Sequence, residues 1–194
     1  PSRLPPIMAG ADPTAYLRLN MENPMRTALS ITAMLVSLSA FSAQAQVRSS
    51  GFDLPAQLAV EAASEAVRTC ESNGYKVSAT VVDPSGELKV YIKGDHSTTH
   101  TRETSFRKAY TQVTMGPIFG FDALSTWVEK LKGNPSAGSF LTVPNIILLP
   151  GAVAIKAKGE IVAAIGVGGA PGGEKDEVCA AAGLAKIKDR LPSK

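Results

Sequence analysis

The stretch PGAVAIKAKGEIVAAIGVGGAPGGEKD, Pro150 to Asp176, decides the fold. Val153 to Ile155 and Glu160 to Val167 are apolar, partly β-branched runs, and Lys158-Gly159 between them supplies a turn. The pattern predicts a hairpin. After Val167 come Gly168, Gly169, Gly172 and Gly173, and then charged residues that open a helical pattern near Asp176. A loop with so few side chains leaves its N–H groups bare, and beside a helix N-terminus they can meet an anion. A close strand-to-helix connection explains the same glycines without any ligand. Nucleotide fingerprints fail: Gly166-Val167-Gly168 is followed by Gly169-Ala170-Pro171, the strands form a hairpin rather than a βαβ unit, and no GxxxxGK[ST] occurs.

Outward from this stretch, the remaining elements follow in order. Leu58, Ala62, Ala66 and Cys70, flanked by Ala59, Ala63 and Val67, form one apolar stripe of a first helix. Asp53 is placed to cap it, and Asn73-Gly74 to end it. Val77 to Val82 and Glu87 to Ile92 read as strands joined by the turn Asp83-Pro84-Ser85-Gly86. A second helix is expected from about Thr101 to Met115, with Phe106, Ala109, Tyr110 and Val113 inward and Arg102, Arg107 and Lys108 on its other faces. Gly116-Pro117 is expected to stop it. Asp122 is expected to cap a short helix, Ala123 to Leu131, in which Trp127 is a packing anchor. Ile146 to Leu149 is expected to be a short strand. The last helix, Asp176 to about Leu191, is expected to bury Val178, Ala181, Leu184, Ala185 and Ile187. The order is α-β-β-α-(α)-β-β-β-α, an α+β domain with an antiparallel sheet of about five strands and flanking helices.

The chain has 194 residues and a net charge of +3. Met25 to Ala45, MRTALSITAMLVSLSAFSAQA, carries Arg26, an apolar run Ala28 to Phe41 and a small-x-small site at Ala43-Gln44-Ala45, the three parts of a secretory signal. The run is short for a membrane span of ~20 residues. The organisation expected is therefore a leader or mis-assigned start at residues 1–24, a signal at 25–45 and one domain at 46–194. No basic cluster with interleaved aromatics occurs, which argues against nucleic acid. Export permits a disulfide between the only two cysteines, Cys70 and Cys179, although two small buried thiols are the slightly favoured expectation.

The only histidines, His96 and His100, lie at helical spacing with Glu103. On one face they could hold iron, copper or zinc, and either imidazole could serve as an axial haem ligand. Surface histidines in a loop are the plain alternative. Tyr75, Tyr91, Tyr110 and Met115 are further conceivable ligands, each more simply explained by packing. No GxSxG surrounds a serine, and Asp83 and Asp95 are turn formers.

Several motifs together carry a resemblance. Val81-Val82-Asp83-Pro84-Ser85-Gly86-Glu87-Leu88, Arg107-Lys108-Ala109-Tyr110-Thr111, the run Gly159 to Gly169 and Asp176-Glu177 with Cys179-Ala180-Ala181-Ala182-Gly183 resemble the GlcG/HbpS-like haem-binding (haem-degrading) family. The match spans about Leu54 to Ile187. Pro150-Gly151 stands where the family often has two glycines, Val153 where it often has proline, and Gly168 where it usually has serine. The resemblance implies a small α/β domain in profilin-like layers, assembled into homo-oligomers, whose exported members bind haem and are in some cases linked to iron release. It supplies no shared axial ligand, so His96 and His100 are proposed from their chemistry alone.

The expectation is a periplasmic or secreted haem-binding protein, with haem degradation an open extension and no conventional catalytic set. Tyr110 would give apolar contact, and Arg102, Arg107 or Lys108 with the amides around Gly168, Gly169 and Gly172 would hold the propionates. The competing classes are a module for a small organic acid such as glycolate on the same glycine loop, and an oligomeric scaffold without ligand. No nucleic acid, and no membrane after signal cleavage, is expected as a partner.

Overall fold

The computed structural model describes residues 51–192. The leader and signal segments expected before Ala45 lie outside the described residues. The elements are α1 (Ala56–Ser72), β1 (Ser78–Val82), β2 (Leu88–Lys93), α2 (Thr101–Phe119), α3 (Leu124–Lys130), α4 (Ala137–Phe140), β3 (Ala152–Ala157), β4 (Glu160–Gly168) and α5 (Gly173–Ile187), followed by a 3₁₀ turn, Lys188–Arg190. The strands form one antiparallel sheet in the order β2-β1-β4-β3.

Both faces of the sheet are covered. Along β4, Ala163, Ile165 and Val167 pack with the α1 stripe Leu58, Ala62, Ala66 and with Ala180 and Ile187 of α5. The alternate residue Ala164 packs with Val82, Ala109 and Val113 beneath α2. The alternation follows from the two-residue period of a strand. A third cluster, Phe121, Leu124, Trp127, Ile146 and Ala152, closes the end of the sheet beside α3. Trp127 stacks on Phe121 with ring centres 5.3 Å apart, the anchoring role expected of it.

The glycines of the opening stretch have a packing cause. A Cβ on Gly166 would lie 2.3 Å from the Ser105 carbonyl oxygen and 2.6 Å from the Ala109 nitrogen, and one on Gly168 would lie 2.5 Å from Thr104 Oγ1. The backbone of α2 therefore rests directly on the glycine face of β4. Gly166→Ala is expected to push α2 off the sheet and cost about 1–3 kcal/mol or more. Urea unfolding checks this, and an unchanged midpoint would contradict so close an approach.

Four strands are present rather than the expected five. Ile146 to Leu149 forms no strand, and α2 side chains take two of its backbone groups. Arg107 donates to the Ile146 carbonyl, and the Ile147 N–H donates to Thr111 Oγ1 at 2.9 Å. The expected stop at Gly116-Pro117 is also absent. Helix α2 runs through it to Phe119 and ends on Gly120 at φ 66°. Near a helix end, the bond that proline forfeits is a small loss.

Neither Asp53 nor Asp122 caps a helix by its side chain. Both carboxylates instead face sheet lysines, Asp53 on Lys89 of β2 and Asp122 on Lys156 of β3. The last helix begins earlier than expected, at Gly173, and its buried face is rotated. Asp176, Cys179, Ala180, Gly183 and Ile187 point inward, while Val178 is 62% exposed and Ala181 and Ala185 face solvent. Its inner face includes a charged residue and a glycine, which an apolar count passes over.

Cys70 and Cys179 form a disulfide with Cα atoms 5.5 Å apart, joining α1 to α5. Beside it, a Cβ on Gly183 would lie 2.4 Å from the Ala62 carbonyl oxygen, so the two helices are in backbone contact.

Candidate functional site

The glycine turn after β4 is organised by a buried charge pair. Lys108 projects from α2 and Asp176 from the first turn of α5, and Lys108 Nζ donates to Asp176 Oδ2 at 2.7 Å. Both side chains are almost wholly buried. The Ala170 N–H donates to Asp176 Oδ1 at 2.9 Å. The amide cradle expected to face an external anion is thus turned, at Ala170, onto the protein's own carboxylate. Glycine is required on the flanks: a Cβ on Gly151 would lie 2.7 Å from Lys108 Nζ, and one on Gly173 would lie 2.4 Å from the Pro150 carbonyl oxygen.

Burial pushes the Asp176 carboxyl above the usual carboxylate range, while the Lys108 ammonium and the amides of Ala170 and Gly169 pull it back. The folded protein then holds this proton more tightly than the unfolded chain does. The associated stability is present at pH below the ordinary carboxyl value and is lost as pH rises through the folded one. In Asp176→Asn this part of the slope is expected to vanish, read from urea midpoints between about pH 4 and about pH 8. An unchanged slope would show that the group does not titrate there.

Glu177, next in sequence, makes a second clamp. Its carboxylate accepts from the N–H groups of Ser125 and Gly151 at 2.9 and 3.1 Å, and from the Ser125 hydroxyl. It thereby ties α5 to the start of α3. The adjacent acids Asp176-Glu177 are an architectural device, and their signal in sequence is a carboxylate pair three residues after the last glycine of the loop.

Two clefts flank the N-terminal half of α2. One, about 290 Å³, is lined by His100, Thr104, Lys108, Leu149, Gly169 and Gly172, with Asp176 on the same wall. The other, about 380 Å³, lies toward β2 and is walled by Leu88, Tyr91, Phe106, Arg102, Glu103 and Glu87. The candidate residues divide between them. His100 and Lys108 meet Gly169 and Gly172 in the first, and Arg102 and Glu103 enter the second. Arg107 is engaged with the Ile146 carbonyl. Tyr110 packs on Gly86, where a Cβ would lie 2.6 Å from its ring. Gly168 is buried beneath Thr104.

His96 and His100 are exposed, and His100 Nδ1 lies 3.2 Å from Thr98 Oγ1. His96 has φ 62°, a left-handed turn conformation, and α2 starts only at Thr101. The helical spacing that would align His96, His100 and Glu103 therefore does not apply. Among the described residues no group of three or more His, Cys, Asp or Glu side chains converges as a metal site would need. The metal set His96, His100, Glu103 is corrected accordingly. A single imidazole facing a cleft is what remains, and that is His100.

Sequence patterning also missed a polar seam between β1 and α2. Ser78 Oγ lies 2.8 Å from Thr101 Oγ1 and 3.2 Å from Ser97 Oγ, and Thr80 Oγ1 lies 2.8 Å from Ser105 Oγ. Small hydroxyls pair across the layer where apolar residues would be expected.

Residues 54–185 match the family model described as haem degrading protein HbpS-like. The chain belongs to this family. A double mutant of HbpS from Streptomyces reticuli is 33% identical, with a TM-score of 0.64 over 75% of this chain and 93% of that one. A second HbpS crystal structure is also 33% identical, with a TM-score of 0.62 over 72% and 96%. The structure titled PduOC:Heme complex shares the fold at 21% identity and a TM-score of 0.62, over 70% and 96%. No curated protein matches. The HbpS-like match includes α1, the whole sheet and α2, so both clefts lie within the family domain. Among the described residues no helix is long and apolar enough to cross a membrane.

Proposed function

We propose that this chain is an exported haem-binding protein, with the His100 cleft as the haem site. Membership of the HbpS-like family carries the reading, and a crystal structure of the same fold titled as a haem complex supports it. Two of the residues present suit one edge of the group. His100 offers an imidazole at the mouth, Leu149 is 50% exposed beside it, and the Lys108 ammonium lies in the wall. His100 would ligate the iron and Leu149 would cover porphyrin carbon, while Lys108 stays held by Asp176 in the wall behind them. The bound iron would supply any redox chemistry, while the chain binds, orients and shields it. Haem breakdown with release of iron is the finer extension of the same proposal.

The signal-like segment Met25 to Ala45 and the Cys70–Cys179 bridge both support export, since disulfides persist in oxidising compartments. Homo-oligomer formation is proposed with it, on the family membership. The organic-acid reading is less favoured, because the Ala170 amide donates to Asp176 instead of facing the cleft.

Haemin titration of the full chain tests the reading. A Soret band saturating at a defined stoichiometry is expected, and His100→Ala should shift it and weaken binding by about tenfold or more. No binding in either oxidation state, with thermal stabilisation by organic acids instead, would overturn it.

A further inference from the structure

The second cleft is a separate site with its own chemistry. Its existence follows from the sheet. On the α2 side, Thr80 pairs with Tyr91 and Val82 with Leu88 across β1 and β2. Helix α2 packs on Thr80 through Ser105 and on Val82 through Ala109 and Val113, and so covers β1. β2 is the edge strand, and only half-buried or exposed side chains occur along it. Leu88 is 53% exposed. Leu88, Tyr91 and the Phe106 ring are left as an apolar trough of about 380 Å³ that none of the described elements fills.

The rim carries one guanidinium, Arg102, and two carboxylates, Glu87 and Glu103. All three are exposed, and among the described residues none of them forms an ion pair. A trough with aromatic walls, one cation and two anions matches a small zwitterion bearing an apolar body. Arginine is the side chain best shaped for a carboxylate. Carboxylates beside aromatic faces suit an ammonium. A ligand with a lone carboxylate would meet net repulsion at this rim, and a lone ammonium would leave Arg102 unused.

We propose that this cleft binds a free α-amino acid with an aromatic or large aliphatic side chain. Arg102 takes the carboxylate, Glu87 and Glu103 the ammonium, and Leu88, Tyr91 and Phe106 the side chain. The site does not depend on haem, because none of its walls is shared with the His100 cleft.

Isothermal titration of the full chain with L-phenylalanine, L-leucine, phenylpropionate and phenethylamine decides it. The two amino acids should bind, and each one-charge analogue should bind about tenfold more weakly or worse. Arg102→Gln should weaken L-phenylalanine by a similar factor without weakening phenethylamine, and Glu103→Gln should weaken L-phenylalanine without weakening phenylpropionate. Exposed positions tolerate these changes, and an unaltered haemin titration in both variants shows that the fold and the other cleft are intact. No heat with either amino acid, or equal affinity for all four probes, would overturn the proposal whatever the haem result.

Discussion

Replacing Cys70 and Cys179 together by alanine is expected to lower stability by about 4–5 kcal/mol, because the bridge closes a loop spanning 109 positions of sequence. In the chain-entropy view the cross-link acts mainly on the unfolded state, restricting an ensemble that would otherwise explore far more conformations. For a domain of this size the loss corresponds to a fall in melting temperature of roughly 10–20 °C. Local packing adds to it. Both sulfurs are buried between α1 and α5, whose backbones touch at Gly183 and Ala62. Reductant alone should act slowly on the folded protein and quickly once denaturant opens it, since access limits thiol–disulfide exchange. Free-thiol counting after unfolding, with and without reductant, verifies the bridge. Equal urea midpoints for the wild type and the double variant would show that the cross-link contributes nothing.

The second large effect is expected at Lys108 and Asp176. Asp176→Leu removes the charge facing a buried ammonium, and Lys108→Met removes the ammonium facing a buried carboxylate. Each should cost about 3–5 kcal/mol, the penalty of stranding one charge away from water. The double variant Lys108→Met with Asp176→Leu should cost clearly less than the two single losses combined, since no charge is then left alone. It should still not reach wild type, because the Ala170 N–H would lose its acceptor, worth about 1–3 kcal/mol. The pair is therefore a device for fixing where α2, the glycine turn and α5 meet, more than a source of net stability. Strict additivity across the cycle, measured by urea unfolding, would refute the coupling.

Much of this is legible in the sequence alone. The alanine stripe of α1 contains no charge and repeats every four residues, so its buried face was unambiguous. The hairpins around Asp83-Pro84-Ser85-Gly86 and Lys158-Gly159 were marked by residues whose local conformations favour turns: Asp83 Oδ1 accepts from the Ser85 and Glu87 amides, and Lys158 and Gly159 both have positive φ. The motifs that carry the family resemblance were likewise read directly. Local periodicity and turn chemistry sufficed for each of these elements, because the forces that set them act within a few residues.

The candidate site was less legible. Apolar spacing puts Lys108 on an outer face of its helix, and only the proximity of Asp176, 68 positions away, makes its burial tolerable. The histidine set failed for a related reason. Helical spacing does not hold across a segment whose first member, His96, sits in a left-handed turn.

The sequence by itself determined an α+β chain with an antiparallel sheet, two turn-marked hairpins and a glycine-dense junction before the last helix. Only the tertiary structure decided what that junction does. Its glycines admit the α2 backbone at Gly166 and Gly168, and the Ala170 amide beside them is spent on Asp176. The physical reason is that steric approach and charge burial depend on neighbours distant in sequence, to which local pattern is blind. The same holds for the fifth strand. Ile146 to Leu149 has the composition of a strand, but side chains of α2 take two of its backbone groups, and partnership decides what a segment becomes.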